Sequence, residues 1–208
     1  MTAKNEAIEL MEKLSEGQKL LGTSCCPAYV ESVRKHVKEF EPFVSDTKTP
    51  MSYTAELVKK EIPGSTVVFI GPCIAKKYEG INDENVDFVL TYEEAASFFL
   101  ARDVDTLEQK ESTYDSESAT IETQRFCING GVTKAVKYYA NKIDPTVEVN
   151  PFYINGLDKK GINALKLAAK GKLKNNLVEC MSCEGGCLDG PGVVVSSAIS
   201  KRKLVAKS

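Results

Sequence analysis

The stretch at residues 178–192, VECMSCEGGCLDGPG, constrains the fold more than any other part of the chain. Cys183 and Cys187 are four positions apart, close enough for two thiolates to bind one metal centre. The neighbouring glycines remove side chains where the backbone must pass close to something bulky. Two other cysteine sites, CCP at 25–27 and GPC at 71–73, are distant in sequence. These three loops predict a metal cluster at the junction of several elements.

The composition excludes several classes of protein. Of the 208 residues, 42% are hydrophobic and 27% are charged, which is typical of a soluble globular protein. The net charge of −2 disfavours a nucleic-acid binder. No apolar run approaches the ~20 residues of a membrane span. The N-terminus, MTAKNEAIELMEKL, lacks the apolar core of a signal peptide, so we expect a cytoplasmic protein.

The seven cysteines are expected to serve as thiolates rather than in disulfides. Their number is odd and no export signal is evident, which favours metal binding or catalysis. His36 is the single histidine, so mixed Cys/His zinc sites and histidine-based catalysis are disfavoured. We expect His36 on a solvated helix face, among Arg34, Lys35 and Lys38.

Strand and helix patterns alternate along the chain, which predicts an α/β fold with a mainly parallel sheet. Strands are predicted at about 19–22, 66–70, 86–90, 147–154 and 177–180. Helices are predicted at about 4–16, 27–40, 51–60 and 158–171, with others starting after a Thr91/Glu94 capping box and after Gly130. The strand at 66–70 places Cys73 at its carboxyl end, where ligands gather in such sheets. The acidic segment 103–124 is expected to be a solvated loop, with a binding surface as the alternative.

Four cysteines in strand-end loops suit a cubane iron–sulfur cluster, which takes four thiolates. Structural zinc is the alternative, since zinc held by four cysteines is common. Such zinc sites usually have two Cys-x2-Cys pairs, and here only Cys180 and Cys183 have that spacing.

Three stretches resemble the three signature motifs of the [FeFe]-hydrogenase H-cluster domain. They are TSCCPAYV at 23–30, GPCIAKKYE at 71–79 and ECMSCEGGCLDGPG at 179–192. RFCINGGVTKAV at 125–136 is similar to the Phe- and Gly-rich segment between the second and third motifs. The resemblance implies a two-lobed iron-hydrogenase-like α/β domain, with mainly parallel sheets flanked by helices. It implies a single H-cluster catalytic domain over residues 1–208, with a truncated first lobe and no accessory iron–sulfur domains.

By this resemblance, a [4Fe–4S] cluster would be held by Cys26, Cys73, Cys183 and Cys187. Cys187 would also bridge to a di-iron subcluster that carries carbonyl, cyanide and bridging dithiolate ligands. Lys76 resembles the family lysine that donates to a cyanide, although a lysine in an Ala-Lys-Lys run is otherwise expected to be exposed. Met181 is expected to pack beside the di-iron centre, and Glu79 to be a structural or pairing carboxylate.

The resemblance also implies a proton relay that begins at Cys25, which would not be a ligand. A thiol whose pKa is tuned by its surroundings can donate and accept a proton near neutral pH. NEAIEL at 5–10 resembles the helix that carries two relay glutamates, and Ser45 matches the relay serine. The implied path runs through Cys25, Glu9, Ser45 and Glu6 to solvent. Glu12, or a surface role for both glutamates, is the alternative.

The chain departs from the best-known catalytic members at several positions. Gly71 replaces a methionine, which predicts more space near the di-iron subcluster. Met51 replaces a polar residue, and Cys127 and Asn129 alter the central segment. We expect Cys127 and Cys180 to be buried free cysteines.

The resemblance implies an [FeFe] hydrogenase that reversibly reduces protons to H2. Electrons would come from ferredoxin or a partner redox subunit, and maturation proteins would deliver the di-iron subcluster. An acidic ferredoxin would be steered by Lys201, Arg202, Lys203 and Lys207, unless these residues only complement a helix C-terminus.

Two other classes remain open. One is a hydrogenase-like iron–sulfur assembly or scaffold protein, which Cys25 disfavours because that branch generally lacks the proton-carrying cysteine. The other is an H2-sensing regulatory subunit, which GPC at 71–73 favours and the lack of an appended signalling domain disfavours.

Overall fold

A computed structural model describes residues 1–110 and 120–206. Its strands are β1 (Leu21–Gly22), β2 (Val68–Gly71), β3 (Phe88–Thr91), β4 (Pro151–Asn155) and β5 (Leu177–Met181). Its helices are α1 (Thr2–Ser15), α2 (Pro27–His36), α3 (Pro50–Glu61), α4 (Ala75–Ile81), α5 (Tyr92–Leu100), α6 (Ile121–Gln124), α7 (Gly131–Ile143), α8 (Lys159–Ala169) and α9 (Ser197–Ala206). Two 3-10 helices cover Lys38–Phe43 and Cys187–Asp189.

The strands form two parallel sheets, one with the order β1-β5-β4 and one that pairs β2 with β3. Helices flank both sheets, so the predicted α/β class with mainly parallel strands is confirmed. Parallel strands place all their carboxyl ends at one edge of a sheet. The three cysteine loops follow β1, β2 and β5, as the strand pattern predicted.

Strand β5 is the centre of the larger sheet, and all five of its residues are buried. Its side chains alternate between two cores, as a strand requires. Val178 and Cys180 pack with Tyr29, Phe40 and Leu165, which come from α2, the first 3-10 helix and α8. On the opposite face, Leu177 and Met181 pack with side chains of α1 and α7, among them Ala7, Leu10, Val132 and Val136. The sheet therefore lies between two helical layers.

The smaller sheet has a core on one face only. Phe69 of β2 and Val89 of β3 pack there against Met51, Ala55 and Val86. These contacts place α3 and the end of the α4–β3 connection behind the sheet. Burial on a single face is unusual for parallel strands, which are normally covered on both sides.

Several predicted boundaries differ from the structure. The helix predicted at 27–40 ends at His36 and is followed by the 3-10 helix that contains Pro42, because proline disfavours a continuing α-helix. The strand predicted at 147–154 begins at Pro151. Helices α4, α6 and α9 were not predicted as such. His36 is exposed as expected, and both hydrogen bonds of the Thr91/Glu94 capping box are present.

The acidic segment 103–124 is only partly described. Residues 103–110 form no helix or strand and are exposed, in agreement with a solvated loop. Glu111, Asp115 and Glu117 lie outside the described residues. Among the helices that are described, none combines the length and apolar character needed to cross a membrane.

Candidate metal centre and its cavity

The first cysteine loop leaves β1 beside β5. Thr23 N donates to Val178 O at 2.9 Å, which extends the pairing beyond the short strand. Cys26 then occupies the N-cap position of α2, where Pro27 suits the first helical turn. Because β1 and β5 are parallel, their following loops meet: the Cys26 thiol donates to Ser182 Oγ at 3.6 Å.

The four cysteines predicted as cluster ligands lie close enough together to influence one another's ionisation. Burial raises the pKa of Cys187 to about 12, and the thiols that add to this shift include Cys26, Cys73 and Cys183. Burial also raises the pKa of Cys183, with further contributions from Cys73 and Cys26. The three loops therefore bring one thiol set together at the edges of both sheets.

Four thiols on three loops form a donor set of the kind that a cubane iron–sulfur cluster takes. No three His, Cys, Asp or Glu side chains within residues 1–110 and 120–206 are close enough to hold one metal ion. A cubane binds one thiolate at each of four irons, so its ligands are spread more widely than those of a mononuclear site. A bound metal cation lowers the pKa of a coordinating thiol and deprotonates it, so the raised thiol pKa values are compatible with metal binding.

The glycine-rich loop after β5 packs tightly against the segment around residue 127. Cys187 N donates to Cys127 O at 2.8 Å. Gly186 has a φ of 83°, and a Cβ at this position would lie 2.6 Å from Cys127 O. A side chain would therefore push the loop away from the position that holds Cys187. The backbone requirement explains part of the glycine content of the motif.

The same loop joins the two sheets at the thiol set. Gly192 N donates to Pro72 O at 2.9 Å, and Glu93 N donates to Gly192 O at 3.2 Å. These bonds fix the end of the third motif against the loop that carries Cys73. The relative positions of Cys73 and Cys187 therefore depend on backbone contacts as well as on any bound cluster.

A cavity of about 400 Å³ lies beside the thiols. Cys25, Lys76, Met181 and Cys187, which the sequence predicted to surround a di-iron subcluster, all line it. Its other walls are mainly apolar and include Met51, Phe69, Pro72, Phe126, Leu188, Val193, Val194 and Val195. This mainly apolar site contains a lysine ammonium and three thiols, those of Cys25, Cys127 and Cys187. It can hold a compact anionic group and exchange a proton with it.

Lys76 is buried and is held in place by a carboxylate. Its Nζ lies 2.6 Å from Glu79 Oε2, and the other oxygen of Glu79 accepts a hydrogen bond from Thr49 Oγ1. The exposed position that an Ala-Lys-Lys run alone would suggest is therefore not adopted, and Glu79 is a pairing carboxylate. Because Lys76 has three donors and Glu79 engages one, others remain available to the cavity.

The glycine at position 71 does not leave the extra space that was predicted. A Cβ on Gly71 would lie 2.6 Å from the ring of Phe69. That ring also lines the cavity and packs into the core behind the smaller sheet. Phe69 thus fills the volume that a longer side chain at 71 would need.

Glu6 is the deepest carboxylate on the predicted relay. It is fully buried, and its Oε1 accepts from Ser24 N at 3.0 Å. Burial raises the pKa of Glu6 to about 7, and the nearby charge of Glu9 adds to the shift. Burial raises the pKa of Cys25 as well, and Glu6 is the charged neighbour that contributes most. Glu6 is therefore the carboxylate coupled to Cys25.

Glu9 lies on the outer side of this group. It accepts hydrogen bonds from Ser45 Oγ at 2.5 Å, Thr47 Oγ1 at 2.7 Å and Asp46 N at 2.9 Å. Ser45 and Thr47 also line an open polar cavity of about 720 Å³. Glu6 and Ser45 are thus buried whereas Glu9 is half-buried, so Glu6, not Glu9, is the deeper carboxylate on the predicted path. The alternative Glu12 is exposed on α1.

The profile of the iron only hydrogenase large subunit, C-terminal domain, matches residues 1–191. The chain belongs to this family. The chain spans between 41% and 56% of the length of the three most similar curated relatives. It is 26% identical to the periplasmic [Fe] hydrogenase large subunit of Nitratidesulfovibrio vulgaris, over 94% of its own length and 56% of that protein. It is 25% identical to the NADP-reducing hydrogenase subunit HndD of Solidesulfovibrio fructosivorans, over 92% of its own length and 41% of that protein.

A second group of relatives is not named as hydrogenases. The cytosolic Fe-S cluster assembly factor NAR1 of Kluyveromyces lactis is 33% identical over 88 residues, which is 41% of this chain and 19% of that protein. Among solved structures, a variant of the apo [FeFe]-hydrogenase HydA1 from Chlamydomonas reinhardtii superposes with a TM-score of 0.75 at 21% identity. That match covers 100% of this chain and 71% of the other. It establishes the iron-hydrogenase fold.

Three features of this hydrogenase-family site were missed by sequence reasoning. Cys127 lines the cavity and adds to the raised pKa of Cys187, so it is not simply a packing residue. Cys180 is fully buried, as expected. Thr47 and Ser24 join the carboxylates of the predicted relay. The TSCCP motif itself contains Ser24, whereas Thr47 gives no signal beyond its distance of two residues from Ser45.

Proposed function

We propose that this chain is the H-cluster domain of an [FeFe] hydrogenase that reversibly reduces protons to H2. The observation that carries the proposal is the single cavity shared by Cys25, Lys76, Met181 and Cys187. A thiol, an ammonium group, a thioether and a candidate bridging thiolate are the groups this chemistry needs around one reacting centre. Family membership alone does not specify catalysis, since function depends on the site.

Four thiolates would hold the [4Fe–4S] part of the H-cluster: those of Cys26, Cys73, Cys183 and Cys187. The di-iron subcluster, with its carbonyl, cyanide and bridging dithiolate ligands, would occupy the cavity beside Cys187. When bound, the H-cluster supplies the electron-transfer and H2-forming chemistry. The chain supplies position, electrostatics and protons, as proteins do for cofactors generally.

Lys76 would donate to an anionic ligand at the cavity wall. Glu79 fixes the ammonium group at 2.6 Å, so little reorganisation is needed when a ligand binds. Met181 and Phe126 form apolar walls of the same space, and a bound subcluster would displace water from it. Exclusion of water strengthens the electrostatic contact of Lys76.

Cys25 would hold the proton that enters or leaves the cavity. Glu6, with a pKa raised to about 7, is suited to exchange protons with it at neutral pH. Ser45 and Glu9 would continue the path to the polar cavity at the surface. The proposed order is therefore Cys25, Glu6, Ser45, Glu9 and solvent.

Electrons would reach the [4Fe–4S] cluster from ferredoxin or from a partner redox subunit. Maturation proteins would deliver the di-iron subcluster, and the setting would be cytoplasmic. Arg202 and Lys203 are exposed on α9, beside the 3-10 helix that begins at Cys187, which supports α9 as a docking point for an acidic carrier. Lys201 lies 3.8 Å from Asp189, and Lys207 lies outside the described residues.

Two other functions remain as alternatives. The local similarity to the NAR1 assembly factor favours a scaffold that binds the [4Fe–4S] cluster without H2 chemistry. GPC at 71–73 favours an H2-sensing subunit. The presence of Cys25 in the cavity supports the enzyme over the scaffold, because a scaffold has no need of a proton-carrying thiol there.

Infrared spectroscopy of the protein matured with a di-iron subcluster tests the proposal. We expect carbonyl and cyanide bands together with H2 evolution driven by a reduced carrier. Iron content of about four per chain with no such bands, after a maturation that succeeds on a control hydrogenase, would favour the scaffold. Bands with only trace turnover would favour the sensor.

A further inference from the structure

The smaller sheet has one apolar face that is only partly covered. Because β2 and β3 pair in register, Val68 lies beside Phe88, and Ile70 lies beside Leu90, on the same face. Val68, Ile70 and Phe88 are 44%, 42% and 60% exposed. The opposite face, with Phe69 and Val89, is packed. A parallel sheet normally has apolar cover on both faces, so this surface lacks part of its second layer.

Helix α5, which follows β3, also carries exposed apolar side chains. Its sequence, YEEAASFFL, is predominantly apolar, yet Ala95 is the one position of the helix that is fully buried. The helix packs against β3 and β2. Phe98 is 54% exposed and Leu100 is 78% exposed. A helix of this composition is expected to be covered by other elements.

One edge of the sheet is open for another strand. Phe88 N donates to Val67 O at 3.1 Å, so in a parallel ladder Val67 and Phe69 direct their backbone groups towards β3. Val68 and Ile70 therefore direct theirs to the outer edge of β2, where no strand pairs with them in the described part of the chain. The outer edge of β3 differs, because Lys77 Nζ donates to Val89 O at 3.3 Å. A charged side chain over an edge blocks strand addition.

The exposed area is that of a protein interface. An aromatic side chain has roughly 150–250 Å² of surface, and the exposed parts of the five side chains named above sum to roughly 500 Å². A standard-size interface buries about 800 Å² per partner, of which roughly 60% is apolar. The solved Chlamydomonas relative also contains chain with no counterpart here, since the match covers 71% of it. The size of the exposed area and the unmatched part of that relative both favour another polypeptide segment as the cover of this face.

The charge around this face indicates what kind of segment. Acidic residues predominate in the sequence around β3 and α5: Asp83, Glu84, Asp87, Glu93, Glu94, Asp103, Asp105 and Glu108, of which Asp87 is paired with Lys59 and Glu94 with Lys77. Arg102 is the single basic residue between positions 83 and 108, and it lies over the Phe98 ring. Two copies of the face would place acid against acid, which costs free energy. A basic segment would instead complement it.

We propose that a partner polypeptide adds a β-strand along the outer edge of β2 and covers this face. Its side chains are apolar towards Val68, Ile70 and Phe88, and its flanking residues are basic. The contact is a β-strand addition, in which main-chain bonds give affinity and side chains give selectivity. It lies on the face of the sheet opposite Phe69, whose ring lines the cavity, so it is separate from the proposed chemistry.

Three synthetic strand peptides of about nine residues test the proposal with the iron-reconstituted 208-residue protein. One has a Val/Thr core and lysines at both ends, the second has glutamates at the ends, and the third is the lysine peptide with alternate amides N-methylated. Titration calorimetry is expected to show binding of the first peptide on the order of ten-fold tighter than the second at low salt. The N-methylated peptide should bind weakly, because it cannot form the main-chain bonds.

Variants locate the contact. Phe88→Ser and Ile70→Thr change exposed side chains and should weaken binding of the lysine peptide on the order of ten-fold or more. Tyr153→Ser, at an exposed position on β4, is the matched control and should bind normally. Equal binding of lysine and glutamate peptides, or binding that Phe88→Ser leaves unchanged, would overturn the proposal. So would absence of any binding, or a peptide-free dimer in sedimentation equilibrium that Phe88→Ser dissociates, which would assign the face to a second copy.

Discussion

Ser45 Oγ donates to Glu9 Oε2 at 2.5 Å, at the margin of an open polar cavity. Glu6, one helical turn earlier on α1, is fully buried beside Ser24. The two carboxylates thus divide the proposed relay into an inner member coupled to Cys25 and an outer member coupled to solvent. This division reverses the order that sequence resemblance implied and determines which substitution should matter more.

Glu6→Gln is expected to slow H2 evolution more than Glu9→Gln. A buried inner carboxylate has no solvent substitute, whereas water from the polar cavity can replace part of the outer one. Positioned proton transfer contributes ~10²–10⁴-fold to a rate. We therefore expect Glu6→Gln to lower the rate of H2 evolution by a factor in that range, and Glu9→Gln to lower it by a smaller factor. Glu12→Gln, at an exposed position of the same helix, is the control and should be near wild type. A larger loss of H2 evolution in Glu9→Gln than in Glu6→Gln would support the order implied by the resemblance, in which Glu9 is next to Cys25.

The unfolding free energy of the iron-free protein should fall as the pH rises from about 4.5 to about 7. Glu6 has a pKa of about 7 in the folded protein and an ordinary one when unfolded, so the folded state binds more protons in this window. A shift of this size corresponds to about 3 kcal/mol at most, since one pKa unit is about 1.4 kcal/mol. Urea unfolding at several pH values measures it. Glu6→Gln should reduce the dependence of the unfolding free energy on pH, and Glu12→Gln should not.

Much of the site follows from local sequence patterns. The strand predicted at 66–70 and the one at 177–180 place Cys73 and Cys183 at carboxyl ends, and parallel pairing then brings the loops together. The order of Glu6 and Glu9 is not local information. Both lie on one side of α1 by helical periodicity, and their burial depends on the loops around Ser24 and Ser45.

Two further predictions failed for the same reason, because each depended on side chains or elements outside the local sequence. The sequence shows that Gly71 has no side chain, but not that the Phe69 ring turns into the vacated volume. The strand predicted at 66–70 was expected to be buried because of its apolar run, yet Val68 and Ile70 are exposed. Burial of a second sheet face requires another element, and a pattern in one strand does not reveal whether that element is present.

Replacement of Cys26, Cys73 or Cys183 by Ala should lower iron content and melting temperature together. Each change removes one of four thiolates, and cluster binding is coupled to folding. Iron analysis and calorimetry of the reconstituted protein measure both. Cys180→Ala is the control: it leaves a small cavity in the core and should lower stability with full iron content. Full iron content in a Cys73→Ala variant would contradict the ligand assignment.

Neutralising the basic residues of α9 should slow ferredoxin-driven turnover at low salt. Arg202→Gln with Lys203→Gln removes two exposed charges from the helix proposed to meet an acidic carrier. Complementary charge acts mainly on the association rate, so the effect should disappear at high ionic strength. Lys159→Gln with Lys160→Gln, on α8, is the matched control. Equal turnover of both double variants at low salt would exclude steering by α9.

Cys25→Ala separates the enzyme from the scaffold. Cys25 lines the cavity but is not among the proposed ligands, so its removal should leave iron content and infrared bands unchanged. H2 evolution should fall by ~10²–10⁴-fold, the typical contribution of a positioned proton donor. Cys25→Asp should recover part of the activity with a different pH profile, because a carboxylate also carries a proton.

The comparison that decides this prediction is between turnover and stability in the same preparations. If Cys25 were only a packing residue, Cys25→Ala would lower the melting temperature and leave turnover per bound cluster nearly unchanged, as expected for Cys180→Ala. Cys180 is a buried cysteine outside the proposed ligands and the relay, so Cys180→Ala controls for the loss of a packed thiol. Near-wild-type turnover of Cys25→Ala would remove Cys25 from the relay and leave Glu6 without a proton acceptor at the cavity.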